Sequence, residues 1–179
     1  MQHEFIFAGF GGQGVLLMGQ LLAHAAMDEG KKVSWIPSYG PEMRGGTANC
    51  TVIVSEREIG SPVVSSPSCV VAMNLPSLDK FEKAVKPGGV LVINSSLVTR
   101  EPKRQDVTVV KVPATGVANE LGNARVANMV ALGAVVEATA VVTPDSVLEA
   151  LRKNLPAHRQ NLLPLNREAI EKGRDAARK

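Results

Sequence analysis

Phe5-Ile6-Phe7-Ala8-Gly9-Phe10-Gly11-Gly12-Gln13-Gly14, running into Val15-Leu16-Leu17-Met18, decides how this chain folds. A short apolar run ended by glycine reads as a buried strand over residues 5–8. Beyond the glycines, Leu17, Leu21, Leu22 and Ala25 recur at helical spacing, which predicts a helix over 15–29 with Gly30 as its stop. Residues 33–36 read as a second strand. The strand, loop, helix and strand together have the length of a βαβ unit. A second glycine-rich stretch follows that strand: Pro37-Ser38-Tyr39-Gly40-Pro41-Glu42-Met43-Arg44-Gly45-Gly46. Both loops therefore fall at the carboxyl edge of an open α/β sheet, where ligands and partners dock.

The pattern continues outward. Residues 48–55 are strongly β-forming, and 59–64 are expected to return antiparallel, confined to an edge by Pro62. Residues 69–73 read as another buried strand. Asn74 is placed to cap a helix with Pro76 in its early turn, running to about 85. Pro87-Gly88-Gly89 turns the chain into a strand over 90–94, and 107–112 is the last clear strand. A short helix ends at Gly122, and Asn123 caps a longer one over 124–139. Thr143-Pro144-Asp145 begins a helix that ends near 154, and 165–179 reads as a polar terminal helix with a thin apolar stripe. Strands alternating with helices predict a three-layer α/β/α fold, with a mostly parallel Rossmann-like sheet and an antiparallel edge. Residues 1–142 form that α/β domain, and 143–179 a helical basic extension of it.

With 179 residues and a 45% hydrophobic fraction, the chain can bury a sizeable core and is not disordered. Aromatic residues make up only 3%, so aliphatic side chains must build that core. The net charge of +3 is unevenly placed: residues 152–179 carry +5 and the rest −2. That basic segment reads as a solvated polar helix, and it has no aromatic residue to stack on a nucleic-acid base. Cys50 and Cys69 belong to no CxxC pair and read as small buried hydrophobes. The three histidines are scattered and complete no metal or cluster ligand set. The start, Met1-Gln2-His3-Glu4, lacks a basic leader region, and no apolar run reaches membrane-spanning length. A reduced, cytoplasmic location is expected.

Gly9, Gly11 and Gly14 match G-x-G-x-x-G between a strand and a helix, the context for holding a phosphate at a helix N-terminus. A dinucleotide site also needs an acid at the end of the second strand. That strand ends Ser34-Trp35-Ile36-Pro37-Ser38 and supplies none. The glycines therefore either meet a phosphate or a partner, or only let the helix pack tightly on the strand. A free-standing Rossmann-like nucleotide-binding enzyme is the alternative function.

Taken together, Gly11-Gly12-Gln13-Gly14-Val15 and Pro37 through Gly46 resemble the gamma subunit of 2-oxoacid:ferredoxin oxidoreductases. The likeness continues through Ser61-Pro62, Asn94-Ser95-Ser96, Gly122-Asn123, Arg125, Asn128-Met129 and Leu132-Gly133-Ala134, over about the first 140 residues. Ser38 through Gly46 is most similar to the 2-oxoglutarate and branched-chain types. The resemblance implies a holoenzyme that oxidatively decarboxylates a 2-oxoacid, forms an acyl-coenzyme A and reduces ferredoxin. It also implies alpha, beta and in some cases delta partner subunits, which hold thiamine diphosphate, Mg²⁺ and 4Fe-4S clusters. This chain then binds none of those groups alone, is inactive in isolation, and pairs with itself only when separated from its partners. Its expected contribution is coenzyme A at the surface. Gly11, Gly12, Gln13 and Gly14 would offer backbone donors, and Arg44, beside Gly45, a bidentate charge. The other reading of Arg44 is a pairing with Glu42 or a partner carboxylate that holds an interface. Nucleic acid and membrane are not expected partners.

Overall fold

A computed structural model describes residues 1–38 and 47–179. Six strands form one sheet in the order β2-β3-β1-β4-β5-β6. They are β1 (Gln2–Phe10), β2 (Lys32–Ser38), β3 (Thr47–Ser55), β4 (Cys69–Ala72), β5 (Val90–Asn94) and β6 (Thr108–Val112). β1, β4, β5 and β6 run parallel, each paired with the next. Their apolar runs follow from burial on both faces. Phe5 and Phe7 of β1 join the larger core cluster, while Ile6 and Ala8 join the smaller one on the opposite face.

The antiparallel edge expected of the sheet is formed by β2 and β3, not by residues 59–64. β3 lies one position in from the edge, antiparallel to β1 on one side and to β2 on the other. β2 therefore runs in the same direction as β1, and β1, the following helix and β2 form a crossover with β3 filling the gap. The alternation of 47–55 specifies a strand but not its place in the order. The expected return strand over 59–64 does not form. Both edges of β3 are already taken, and Pro62 has no N–H to contribute. Instead, 56–68 is a connection tied down at its end, where Ser68 Oγ accepts from the Glu4 N–H at 2.9 Å.

Among the described residues, six α-helices cover the sheet: α1 (Val15–Asp28), α2 (Leu75–Phe81), α3 (Ala114–Glu120), α4 (Ala127–Thr139), α5 (Pro144–Asn154) and α6 (Leu163–Ala177). α1 lies on β3 and β2, while α2 packs on the other face against β4 and β1. α4 is buried from Asn128 through Val136, because it lies between the sheet and α6. At the α4–α6 crossing, a Cβ on Gly133 would run into the Ile170 carbonyl oxygen, and one on Gly173 into that of Val130. The thin stripe expected on the terminal helix is thus a backbone-to-backbone seam, and Ala169 and Ile170 beside it are fully buried. Arg174 and Arg178 pair with Glu137 of α4, and Arg152 and Lys153 pair with Glu149 and Asp28. Half of the basic residues after 151 are therefore engaged within the chain.

Candidate functional site

The carboxyl ends of β1, β4 and β5 carry one connected set of polar groups. Phe10 ends β1, and a tight turn follows, with the Gln13 N–H donating to the Phe10 carbonyl at 3.1 Å. Gly11 and Gly12 are exposed at its tip. Gly14 is the N-cap of α1 at φ 73°, a left-handed conformation that costs a residue bearing Cβ about 1–2 kcal/mol. A Cβ there would also strike the Asn128 amide of α4. Among the described residues no side chain caps α1, and its first turn holds no acid. Such a helix start leaves backbone N–H groups and the positive end of the helix dipole facing outward.

Gln13 is held from two sides. Its Oε1 accepts from the Phe10 N–H at 2.6 Å and from Asn74 Nδ2 at 3.1 Å. Asn74 follows β4, is only 2% exposed, and caps α2 by accepting from the Ser77 N–H at 2.9 Å. Asn94, at the end of β5, is equally buried. Its Nδ2 donates to the Met73 carbonyl at 3.2 Å and to Thr115 Oγ1 at 3.0 Å. Ser96 Oγ accepts from the Gly116 N–H at 3.0 Å. Asn128 Nδ2 donates to the Gly14 carbonyl at 3.4 Å, so this residue is an internal tie to the first loop. Asn123 accepts from the Arg125 N–H, the cap expected of it.

The structure thus brings Gly11, Gly12, Gln13 and Gly14 together in one turn. Arg44 and Gly45 lie outside the described residues. The chain flanking them ends at Ser38 and resumes at Thr47, and Thr47 pairs with Phe10 directly before the turn. The second roles of Asn74 and Asn94 escaped sequence reasoning. The available signal is an amide directly after an apolar strand, Val70-Val71-Ala72-Met73-Asn74 and Val90-Leu91-Val92-Ile93-Asn94. A side chain there must either satisfy the sheet end or face a ligand.

Among the described residues, the chemistry of this edge is hydrogen bonding without a titrating acid or base. Burial pushes the Cys50 and Cys69 thiols up to about 12, so both stay protonated. Among the described residues, no group of three or more His, Cys, Asp or Glu could hold a metal ion. Two separate buried thiols do not fit a cluster. No carboxylate ends β2 at Ile36-Pro37-Ser38. The exposed, uncapped turn does fit an anion such as a phosphate. Two grooves of about 410 and 580 Å³ lie elsewhere, flanking the open edge of β6 and sharing Lys111 and Lys179. No helix among the described residues is long and apolar enough to cross a membrane.

Comparison with known proteins places this geometry. The family model described as pyruvate ferredoxin/flavodoxin oxidoreductase matches residues 4–176. The ketoisovalerate oxidoreductase subunit VorA of Methanothermobacter marburgensis is 41% identical over 174 residues, covering 96% of this chain and 36% of VorA. The gamma subunit of a keto/oxoacid ferredoxin oxidoreductase from Geobacter sulfurreducens superposes with TM-score 0.85 at 34% identity, covering 98% of both chains. A 2-oxoglutarate:ferredoxin oxidoreductase from Magnetococcus marinus, solved with 2-oxoglutarate, coenzyme A and succinyl-CoA bound, gives TM-score 0.90 at 26% identity. It is covered over 31% of its length and this chain over 99%. The chain thus spans about a third of VorA and of the Magnetococcus protein, and nearly all of the Geobacter subunit.

Proposed function

Since the chain belongs to the pyruvate ferredoxin/flavodoxin oxidoreductase family, we propose that it works as the gamma-type subunit of a 2-oxoacid:ferredoxin oxidoreductase. The complete enzyme decarboxylates a 2-oxoacid, passes the acyl group to coenzyme A and the electrons to ferredoxin. Alpha-, beta- and, where present, delta-type subunits supply thiamine diphosphate, Mg²⁺ and the 4Fe-4S clusters. This chain is non-catalytic, inactive alone, and works in the cytoplasm. Residues 143–179 are a helical extension of its single α/β domain. The substrate put first is 2-oxoglutarate, with a branched-chain 2-oxoacid second. Ser38 through Gly46 resembles both types, VorA is named for ketoisovalerate, and the Magnetococcus enzyme was solved with 2-oxoglutarate bound.

Within the complex, the chain lends donors to coenzyme A and helps close the active-site region. The observation that carries this is the uncapped, acid-free start of α1 behind Gly11–Gly14. It lies at the sheet end where the segment bearing Arg44 leaves and re-enters. Backbone N–H groups there suit a phosphate oxygen, and a guanidinium adds a bidentate pair. The coenzyme A in the Magnetococcus relative adds support by family membership.

The test is to purify the chain from its source with whatever co-elutes. A thiamine-binding and a cluster-bearing chain are expected with it. A lone chain holding bound NAD would sink the proposal. In the assembled enzyme, Arg44→Ala is expected to raise the Michaelis constant for coenzyme A roughly tenfold or more, the worth of a charged hydrogen bond. An unchanged constant with intact assembly removes Arg44 from the coenzyme A contact and leaves it an interface residue.

A further inference from the structure

We infer that Asn74 is a positioning residue for the glycine turn: it fixes the Gln13 amide so that Nε2 faces outward as a donor to an acceptor oxygen of coenzyme A. The inference rests on the coenzyme A contact proposed above and adds a residue that works from behind it. Asn74 is 2% exposed, so it reaches the surface only through Gln13. Its orientation is set by α2, because Oδ1 accepts the Ser77 N–H at 2.9 Å. Nδ2 is then the end left for Gln13, and it donates to Oε1 at 3.1 Å. The Phe10 N–H donates to the same oxygen at 2.6 Å. Two donors converging on one oxygen determine which way a side-chain amide faces, since its NH₂ end cannot accept either of them.

Turning the Gln13 amide over would leave the Phe10 N–H without an acceptor and set two NH₂ groups against each other. Gly9 leaves room for this side-chain end, since a Cβ on Gly9 would stand 2.7 Å from Oε1. Nε2 donates to nothing among the described residues, and Gln13 is half-buried. The Gln13 NH₂ and the N–H groups at the start of α1 are therefore donors that this turn presents outward. That polarity suits phosphate or amide-carbonyl oxygens and disfavours a ligand donor.

The relay separates cleanly from the cap. Asn74→Asp keeps a strong N-cap but removes the donor to Gln13 and places a carboxylate against Oε1. The Gln13 amide then turns over and presents its oxygen outward. Asn74→Thr also caps α2, carries no charge, and is too short to reach Gln13. Gln13→Glu keeps both inner donors satisfied and replaces the outward NH₂ with an oxygen.

Each variant is assembled with its partner subunits. The Michaelis constant for coenzyme A is measured against kcat, together with the thermal midpoint. All three substitutions are expected to raise that constant roughly tenfold or more, with the change falling on KM. If Q13E raises the constant while N74D and N74T do not, the positioning role of Asn74 is overturned and the coenzyme A contact stands. If neither Q13E nor R44A moves it, the coenzyme A reading itself fails. A fall in thermal midpoint for N74D and N74T with the constant unmoved makes Asn74 a helix cap alone and likewise overturns the inference.

Discussion

Single side chains at the far end of α1 illustrate how this chain joins its pieces. Glu29 closes α1 and also receives the start of α5: its Oε1 accepts from the Thr143 N–H and from Ser146 Oγ, each at 2.7 Å. Burial works against its charge, but the Thr143 N–H, the Ser146 hydroxyl and Lys31 outweigh it and bring the carboxyl down to about 2. A depressed acid stabilises the fold above its unfolded pKa of 4.5, and the contribution fades as pH falls through the range down to about 2. Glu29→Gln is therefore expected to cost about 1–2 kcal/mol at pH 7, the lower part of the range for a charged hydrogen bond, because its side chain is 19% exposed. Thermal melts of both proteins from pH 7 to pH 2 check this. The gap between them must narrow below pH 4.5, and a constant gap would rule out the charge as its source. The glycine turn was legible at this scale because glycine density between a strand and a helix has few structural uses. The second role of Asn74 was not, since it depends on a contact 61 residues away.

At the level of elements, local chemistry was readable and order was not. Thr143-Pro144-Asp145 marked the start of α5, and Asn74 and Asn123 marked their helix starts, because capping is decided within a few residues. Apolar runs ended by glycine or an amide marked β1, β4 and β5. The insertion of β3 between β2 and β1 left no local trace, since pairing partners are set by the whole sheet. α6 was underestimated for a different reason. Its contact surface is Ala169, Ile170 and Gly173, and small residues register little hydropathy while allowing the closest helix approach. Gly173→Ala is thus expected to cost about 3 kcal/mol or more, the upper range for overpacking, because the obstacle is the Val130 carbonyl and not a movable side chain. Chemical denaturation measures the loss, and limited proteolysis should cut first within α6. A cost below about 1 kcal/mol would mean that the two helices can part without consequence.

Across the whole molecule, the sheet has two unlike ends. The carboxyl end gathers amides and exposed glycines, while α5 and α6 close the opposite side of the helical layer against α1 and α4. On the function proposed above, recognition belongs to the first end and structural integrity to the other. The seam between α4 and α6 has a further consequence. α4 is wrapped on all sides, and its outer cover is α6. Ribosomal synthesis delivers α6 after the helix it covers, so α4 remains unshielded until α6 has emerged. A nascent chain halted shortly before Leu163 would present the Val130–Val136 face to chaperones, and emergence of α6 would be the event that hides it.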